Sequence, residues 1–208
     1  MEMNGLMGVL YRISEWIMRI AYINILWLAF TIAGLVFLGI FPATTGIFAV
    51  ARKWRLGDTH IPIFKTFWKS YRSEFIRSNV LGYLVVIIGL ILYLDLRIVQ
   101  NIDGWLSTLL FILLFSLIFI YFFIVIFLFP VLVHFNSKTF QYLKNAIFVS
   151  IAYPIHTVLM LITSFLLIVM NVKFPILLPY FSVSILIVSI MFIGYDAFRR
   201  LEEKENNY

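Results

Sequence analysis

The chain has 208 residues, 63% of them hydrophobic and only 12% charged, with a mean hydropathy of +1.02. Water-soluble domains carry about 25% charged and about 45–50% apolar residues, so a water-soluble fold is excluded and the excess apolar surface needs lipid as its solvent. The net charge is +6 and cysteine is absent, which excludes disulfides, thiolate metal ligands and a cysteine nucleophile.

The first twenty residues, MEMNGLMGVLYRISEWIMRI, lack a basic stretch ahead of a compact apolar core, and Glu15 and Arg19 interrupt the pattern. They read as part of a retained first span rather than a cleaved leader. Arg12, Glu15 and Arg19 recur at i, i+3 and i+7, so Glu15 can pair with either arginine. This face is either the wet entry turn of the first helix, with Trp16 at the interface, or a charged groove for an anionic ligand.

A membrane helix needs about 20 apolar residues, and the first candidate runs from 17 to 41. Phe41 and Pro42 are expected to end or kink it. Ala43 to Val50 then restart a short helix that Thr44 or Thr45 caps. Arg52, Lys53, Trp54 and Arg55 follow as a basic, membrane-adjacent join, with Trp54 in the headgroup layer.

From 61 to 77 the periodicity predicts a helix opened by Pro62. Phe64, Phe67, Trp68, Tyr71 and Phe75 recur at spacings of three and four, with Lys65, Lys69, Arg72 and Arg77 around the other side. An aromatic-faced basic helix belongs on the inner membrane surface, as a plain lipid anchor or as a docking face for a partner. Such interleaving imitates a single-strand-binding face, but anionic lipid attracts the same charges at a membrane surface, so no nucleic-acid partner is expected.

Four further spans are predicted at 79–96, 105–133, 146–170 and 174–195, with a polar tail over 199–208. His134 falls at the inner end of the third span and reads as interfacial. His156 falls near the middle of the fourth, where an ionisable side chain is costly. It reads either as a bundle-facing structural residue or as a proton or substrate group. Pro154 frees a backbone carbonyl one turn earlier, which Ser150 or Thr157 can help satisfy. Asn24, Thr31, Ser116, Ser150, His156, Thr157, Thr163 and Ser164 supply the polar atoms any path through the bundle would use.

With five spans and the N-terminus outside, the inner loops hold twelve basic residues, and only Arg12, Arg19, Arg97 and Lys173 lie outside. Positive-inside counting therefore favours N-out, C-in. Arg12 and Arg19 are the weak point of this topology. An even count with both ends inside would make one candidate re-entrant or interfacial. The predicted fold is an all-α polytopic membrane helical bundle of about five transmembrane helices plus a cytoplasmic interfacial amphipathic helix. No Walker loop, no HExxH pair, no intramembrane pair of acids and no nucleophile–base constellation stands out. No enzyme activity, cofactor or metal is expected.

Residues Tyr11 to Phe75 resemble the N-terminal signature of the YesL-like family of small bacterial membrane proteins. The matching elements, in order, are W-I-M-R at Trp16–Arg19, N-x-x-W at Asn24–Trp27, F-P-A-T at Phe41–Thr44, R-K-W at Arg52–Trp54 and F-x-x-F-W at Phe64–Trp68. Members are commonly encoded beside sugar-binding proteins, carbohydrate ABC permeases and polysaccharide-degrading enzymes in Gram-positive bacteria. The resemblance thus implies residence in the plasma membrane and a link to oligosaccharide uptake. The expected role is a non-enzymatic accessory subunit that contacts membrane lipids and other membrane proteins, such as carbohydrate ABC permease subunits, through 52–77. The alternative is a small stand-alone transporter whose polar path passes His156.

Overall fold

The computed structural model describes residues 6–175 and 179–205. Among the described residues eight α-helices follow one another: α1 (Leu6–Ala33), α2 (Ile40–Arg55), α3 (Ile63–Ser73), α4 (Phe75–Val99), α5 (Trp105–His134), α6 (Gln141–Ala152), α7 (Pro154–Lys173) and α8 (Ser182–Glu205). Five are long and apolar enough to cross a membrane: Met7–Ala33, Phe75–Val99, Trp105–His134, Pro154–Lys173 and Ser182–Lys204. The chain is an all-helical, multi-pass membrane protein.

The first expected span, 17–41, is corrected most. α1 stops at Ala33, and a six-residue turn separates it from α2. Leu35 and Val36 adopt left-handed conformations at φ 57° and 65°, which cost roughly 1–2 kcal/mol per residue for a side chain with a Cβ. The turn is held from outside. Tyr71 Oη donates to Phe30 O at 3.2 Å, Asn79 Nδ2 to Leu38 O at 3.0 Å and Tyr83 Oη to Phe37 O at 2.8 Å. These donors satisfy carbonyls that no water would reach in a bilayer. Burial also holds the Tyr71 hydroxyl in its neutral form, raising its pKa above the ordinary 10.0. Gly39 permits the fold-back, because a Cβ there would meet Thr31 O at 2.5 Å.

Pro42 therefore does not end a span. It sits in the first turn of α2, where no intrahelical partner for its missing N–H exists. Thr44 and Thr45 do not cap either. Their hydroxyls donate back to Ile40 O and Phe41 O at 2.7 and 2.9 Å, the local bonding open to a threonine inside a helix.

At 16 residues, or about 24 Å, α2 is too short to count among the five spans. It is nevertheless the centre of the molecule: Ala43, Ile47, Val50, Ala51 and Trp54 are buried, and α1, α3, α4, α5 and α8 all pack on it. Small side chains allow this close approach. Gly46 receives the ring of Phe67, which would lie 2.8 Å from any Cβ added there.

The predicted helix over 61–77 is two pieces. α3 ends at Ser73, Glu74 leaves the helical region at φ −100° and ψ 7°, and α4 starts at Phe75, earlier than the expected 79 and continuing past 96. The third span matches its expected bounds. The fourth, 146–170, divides at Tyr153 into α6 and α7, because Pro154 disfavours helical conformation in the residue before it. Thr157 Oγ1 donates to Ser150 O at 2.9 Å, with Tyr153 O at 3.1 Å, so the carbonyl freed by Pro154 is satisfied as the sequence suggested. The fifth span starts at Ser182 rather than 174, and residues 176–178 lie outside the described residues. It continues past 195, so that residues 199–205 of the expected polar tail are helical; residues 206–208 lie outside the described chain.

Several helix ends meet at one end of the bundle. Trp16 of α1 stands edge-on to Trp54 in the last turn of α2, at 5.2 Å, and Arg55 pairs with Asp196 near the end of α8. His134, ending α5, bonds Glu202 of α8 at 2.9 Å. The charged part of α1 and the charged part of α8 therefore share one end of the bundle, which places Arg12 and Arg19 with the other cations. α2 returns the chain to the end from which α1 sets out.

Candidate functional site

The basic segment after α1 was expected to present its aromatic face outward. The structure turns it round. Phe67 and Tyr71 are buried, and Phe30 of α1 is ringed by Phe64, Phe67, Trp68 and Tyr71 at centroid distances of 5.1–6.2 Å. Such tilted aromatic contacts each add about 0.5–1.5 kcal/mol beyond area burial. Trp54 is buried against Trp16, and Phe75 is half-buried beside Tyr71. Of the expected aromatic surface only Phe64 and Trp68 remain exposed, at 47% and 41%, in line with exposed Arg72.

A second stripe of α3, Lys65, Lys69 and Ser73, opens into a cleft of about 570 Å³. Its other walls are Arg52 and Lys53 of α2, Arg77 of α4, the His134–Asn136 end of α5 and Tyr142 of α6. Five cations thus face one space with a single carboxylate, Glu74, which Arg77 engages at 3.0 Å while also reaching Tyr142 Oη at 3.4 Å. The α2 end is braced from below: Arg52 Nε donates to His134 Nδ1 at 3.2 Å, and His134 Nε2 faces Glu202. A neutral ring accepting at Nδ1 carries its proton on Nε2, directed at the carboxylate. Arg55 takes no part in the cleft. It turns away to Asp196, with its guanidinium over the rings of Phe192 and Tyr195.

Arg52 and Lys53 of the expected surface therefore stand in the cleft, Phe64, Trp68 and Arg72 on the outer face, and Trp54, Phe67 and Tyr71 in the interior, with Phe75 half-buried and Arg55 paired to Asp196. Lys65, Lys69 and Arg77 were expected only as the basic side of that helix, and Glu74, His134 and Tyr142 were not expected beside them. Lys65 and Lys69 had a readable signal, since they lie four apart on the face opposite Phe67 and Tyr71. Tyr142 and His134 had none, because only folding brings α5 and α6 to α3.

Arg12, Glu15, Arg19, Asn24 and His156, which could together have made a polar site in the bundle, do not meet at one place. Arg19 pairs with Glu15 at 2.5 Å and lies over Trp16, while Arg12 is exposed. Asn24 is buried elsewhere, clamping α1 to the start of α8: its Nδ2 donates to Pro179 O at 2.7 Å, and its Oδ1 accepts from Ser184 N and Oγ at 3.2 and 2.9 Å. His156 is in the first turn of α7 rather than mid-span. It stands edge-on to Tyr153 at 6.0 Å. Thr157 and Ser150 bond to backbone, and Ser116 is exposed, so these polar groups form separate helix contacts rather than a line. Among the described residues no group of three His, Cys, Asp or Glu side chains is placed to hold a metal ion.

A family profile described as "Protein of unknown function, DUF624" matches residues 20–96, which run from α1 through α4 and include the α2–α3 walls of the cleft. Over 204 residues the chain is 41% identical to the uncharacterised protein YteU of Bacillus subtilis (strain 168), covering 98% of this chain and 91% of YteU. It is 35% identical over 199 residues to YesL of the same organism, covering 94% and 92%, and 28% identical over 197 residues to YesV, covering 95% of each. No solved structure matches significantly.

Proposed function

The chain belongs to the YesL-like, DUF624 family, and on that premise we propose that it is a non-enzymatic accessory subunit of the bacterial plasma membrane that docks a partner membrane protein on the outer face of α3. The partner class is a carbohydrate ABC importer, the association that the family resemblance suggested. The observation that carries the reading is the division of α3: Phe67 and Tyr71 root it in α1 and α2, which leaves Phe64, Trp68 and Arg72 as a rigid exposed row. Aromatic and arginine side chains dominate binding energy at interfaces, and a face already fixed by the fold loses little entropy on binding.

The shared charged end supports placing this face in the cytoplasm. With the start of α1 and the end of α8 both there, all of the 16 lysines and arginines except Arg97 and Lys173 fall on the inner side, a stronger positive-inside bias than twelve against four. The test is affinity purification from native membranes in mild detergent. A permease subunit is expected with the wild-type chain and strongly depleted with Phe64→Ala/Trp68→Ala, whose side chains are exposed. Recovery of the wild-type chain alone would count against the reading.

A further inference from the structure

We propose that the cleft between α2, α3 and the end of α5 binds a phosphate-bearing anion, supplied as an acidic phospholipid headgroup or as a soluble phosphate compound. The inference goes beyond partner docking, because the cationic and aromatic stripes lie on different sides of α3 and each can fail alone.

Lys65 and Lys69 sit one turn apart, a like-charge spacing that disfavours an isolated helix by a few tenths of a kcal/mol. Lys53 enters the same space from α2. Among the described residues no carboxylate lies within 4.0 Å of any of these three ammonium groups, and the one acid in the cleft is engaged by Arg77. Gathering like charges into one concavity raises the local concentration of anions. Arg52 is held through Nε by His134, which leaves its terminal nitrogens for a ligand.

The donor set favours phosphate over a lone carboxylate. Lysines and arginines approach from three helices, with the hydroxyls of Thr66 and Ser70 between them. A tetrahedral anion with several acceptor oxygens uses such divergent donors together, and guanidinium forks match phosphate geometry.

The experiment uses the full chain purified in a neutral detergent, with thermal unfolding followed at constant ionic strength. One arm titrates inorganic phosphate against chloride; the other adds phosphatidylglycerol or phosphatidylcholine to the micelles. A saturable upward shift with inorganic phosphate assigns a soluble source, and one with phosphatidylglycerol but not phosphatidylcholine assigns the lipid; either supports the proposal. Lys65→Gln/Lys69→Gln is expected to weaken the apparent affinity at least about tenfold, since charged hydrogen bonds are involved, while Lys138→Gln/Lys144→Gln leaves it unchanged. Lys53→Gln, on a different helix, is expected to weaken binding as well and is read alone if the α3 pair does not fold. No saturable shift in either arm, equal weakening by the control pair, or unchanged affinity in Lys53→Gln would each overturn it.

Discussion

Replacing Gly46 by alanine probes the contact that sets α3 in place. A Cβ at this position would meet Phe67 Cδ2 and Cε2 at 2.8 Å and Cζ at 3.1 Å, whereas relaxed carbon contacts lie at about 3.5–4.0 Å. The ring has nowhere to go alone, since it is fully buried with Phe30 at 5.3 Å and Tyr71 at 6.3 Å. The whole of α3 must step away from α2 by roughly the missing 0.7–1.2 Å. Overpacking of this kind costs about 1–3 kcal/mol, and the better helix propensity of alanine returns about 1 kcal/mol, so the variant is expected to be destabilised by up to about 2 kcal/mol. Denaturant unfolding in detergent micelles, followed by tryptophan fluorescence, measures this. Adding Phe67→Leu to Gly46→Ala is expected to cost less than the two single changes together, the coupling of residues in contact. A Gly46→Ala protein more stable than wild type by the propensity term, about 1 kcal/mol, would refute the packing of α3 on α2.

Other residues give sharper local readings. Thr157→Val keeps the shape but leaves the Ser150 carbonyl without its donor, and is expected to lower stability by about 1 kcal/mol; an unchanged unfolding midpoint would show that the α6–α7 break satisfies itself in another way. Asn24→Leu breaks the clamp between α1 and α8, and about 1–3 kcal/mol is expected to be lost, with increased proteolysis near Pro179 as an independent readout. Tyr71, whose folded pKa is raised by burial, contributes stability that is fully present below pH 10.0 and is lost as pH rises through its folded value. Stability is therefore expected to fall above pH 10 more steeply in wild type than in Tyr71→Phe, and parallel alkaline profiles would remove the assignment.

The hydropathy of the chain was enough to show a helical membrane bundle with five long spans, and Pro154 with Thr157 foretold the local repair that the structure contains. What periodicity could not distinguish was lipid from protein as the medium that buries an apolar face. Phe67 and Tyr71 looked membrane-facing because a bilayer and a neighbouring helix give the same three-and-four spacing. The break after Ala33 was hidden for a related reason: Leu35, Val36, Phe37 and Leu38 are as apolar as the helices on either side, and only the Gly34 and Gly39 pair marks a fold-back. Arg12 and Arg19 were the weak point of the N-out reading, and the alternative considered made one candidate span re-entrant or interfacial; a short returning helix, α2, was not foreseen. The cleft was legible on its α3 side, as a lysine stripe opposite the aromatic one. Its α2 and α4 walls lie close in sequence, but those from α5 and α6 are more than 50 residues away, and no local pattern reports such a meeting.

The docking account is tested most directly by placing a photoreactive amino acid at Trp68 and, separately, at Ile112 on the exposed face of α5, then irradiating native membranes. The account predicts a discrete crosslink from Trp68 to a carbohydrate ABC permease subunit and none to that subunit from Ile112. Crosslinks from Trp68 to lipid alone, in membranes that contain the importer, would contradict it.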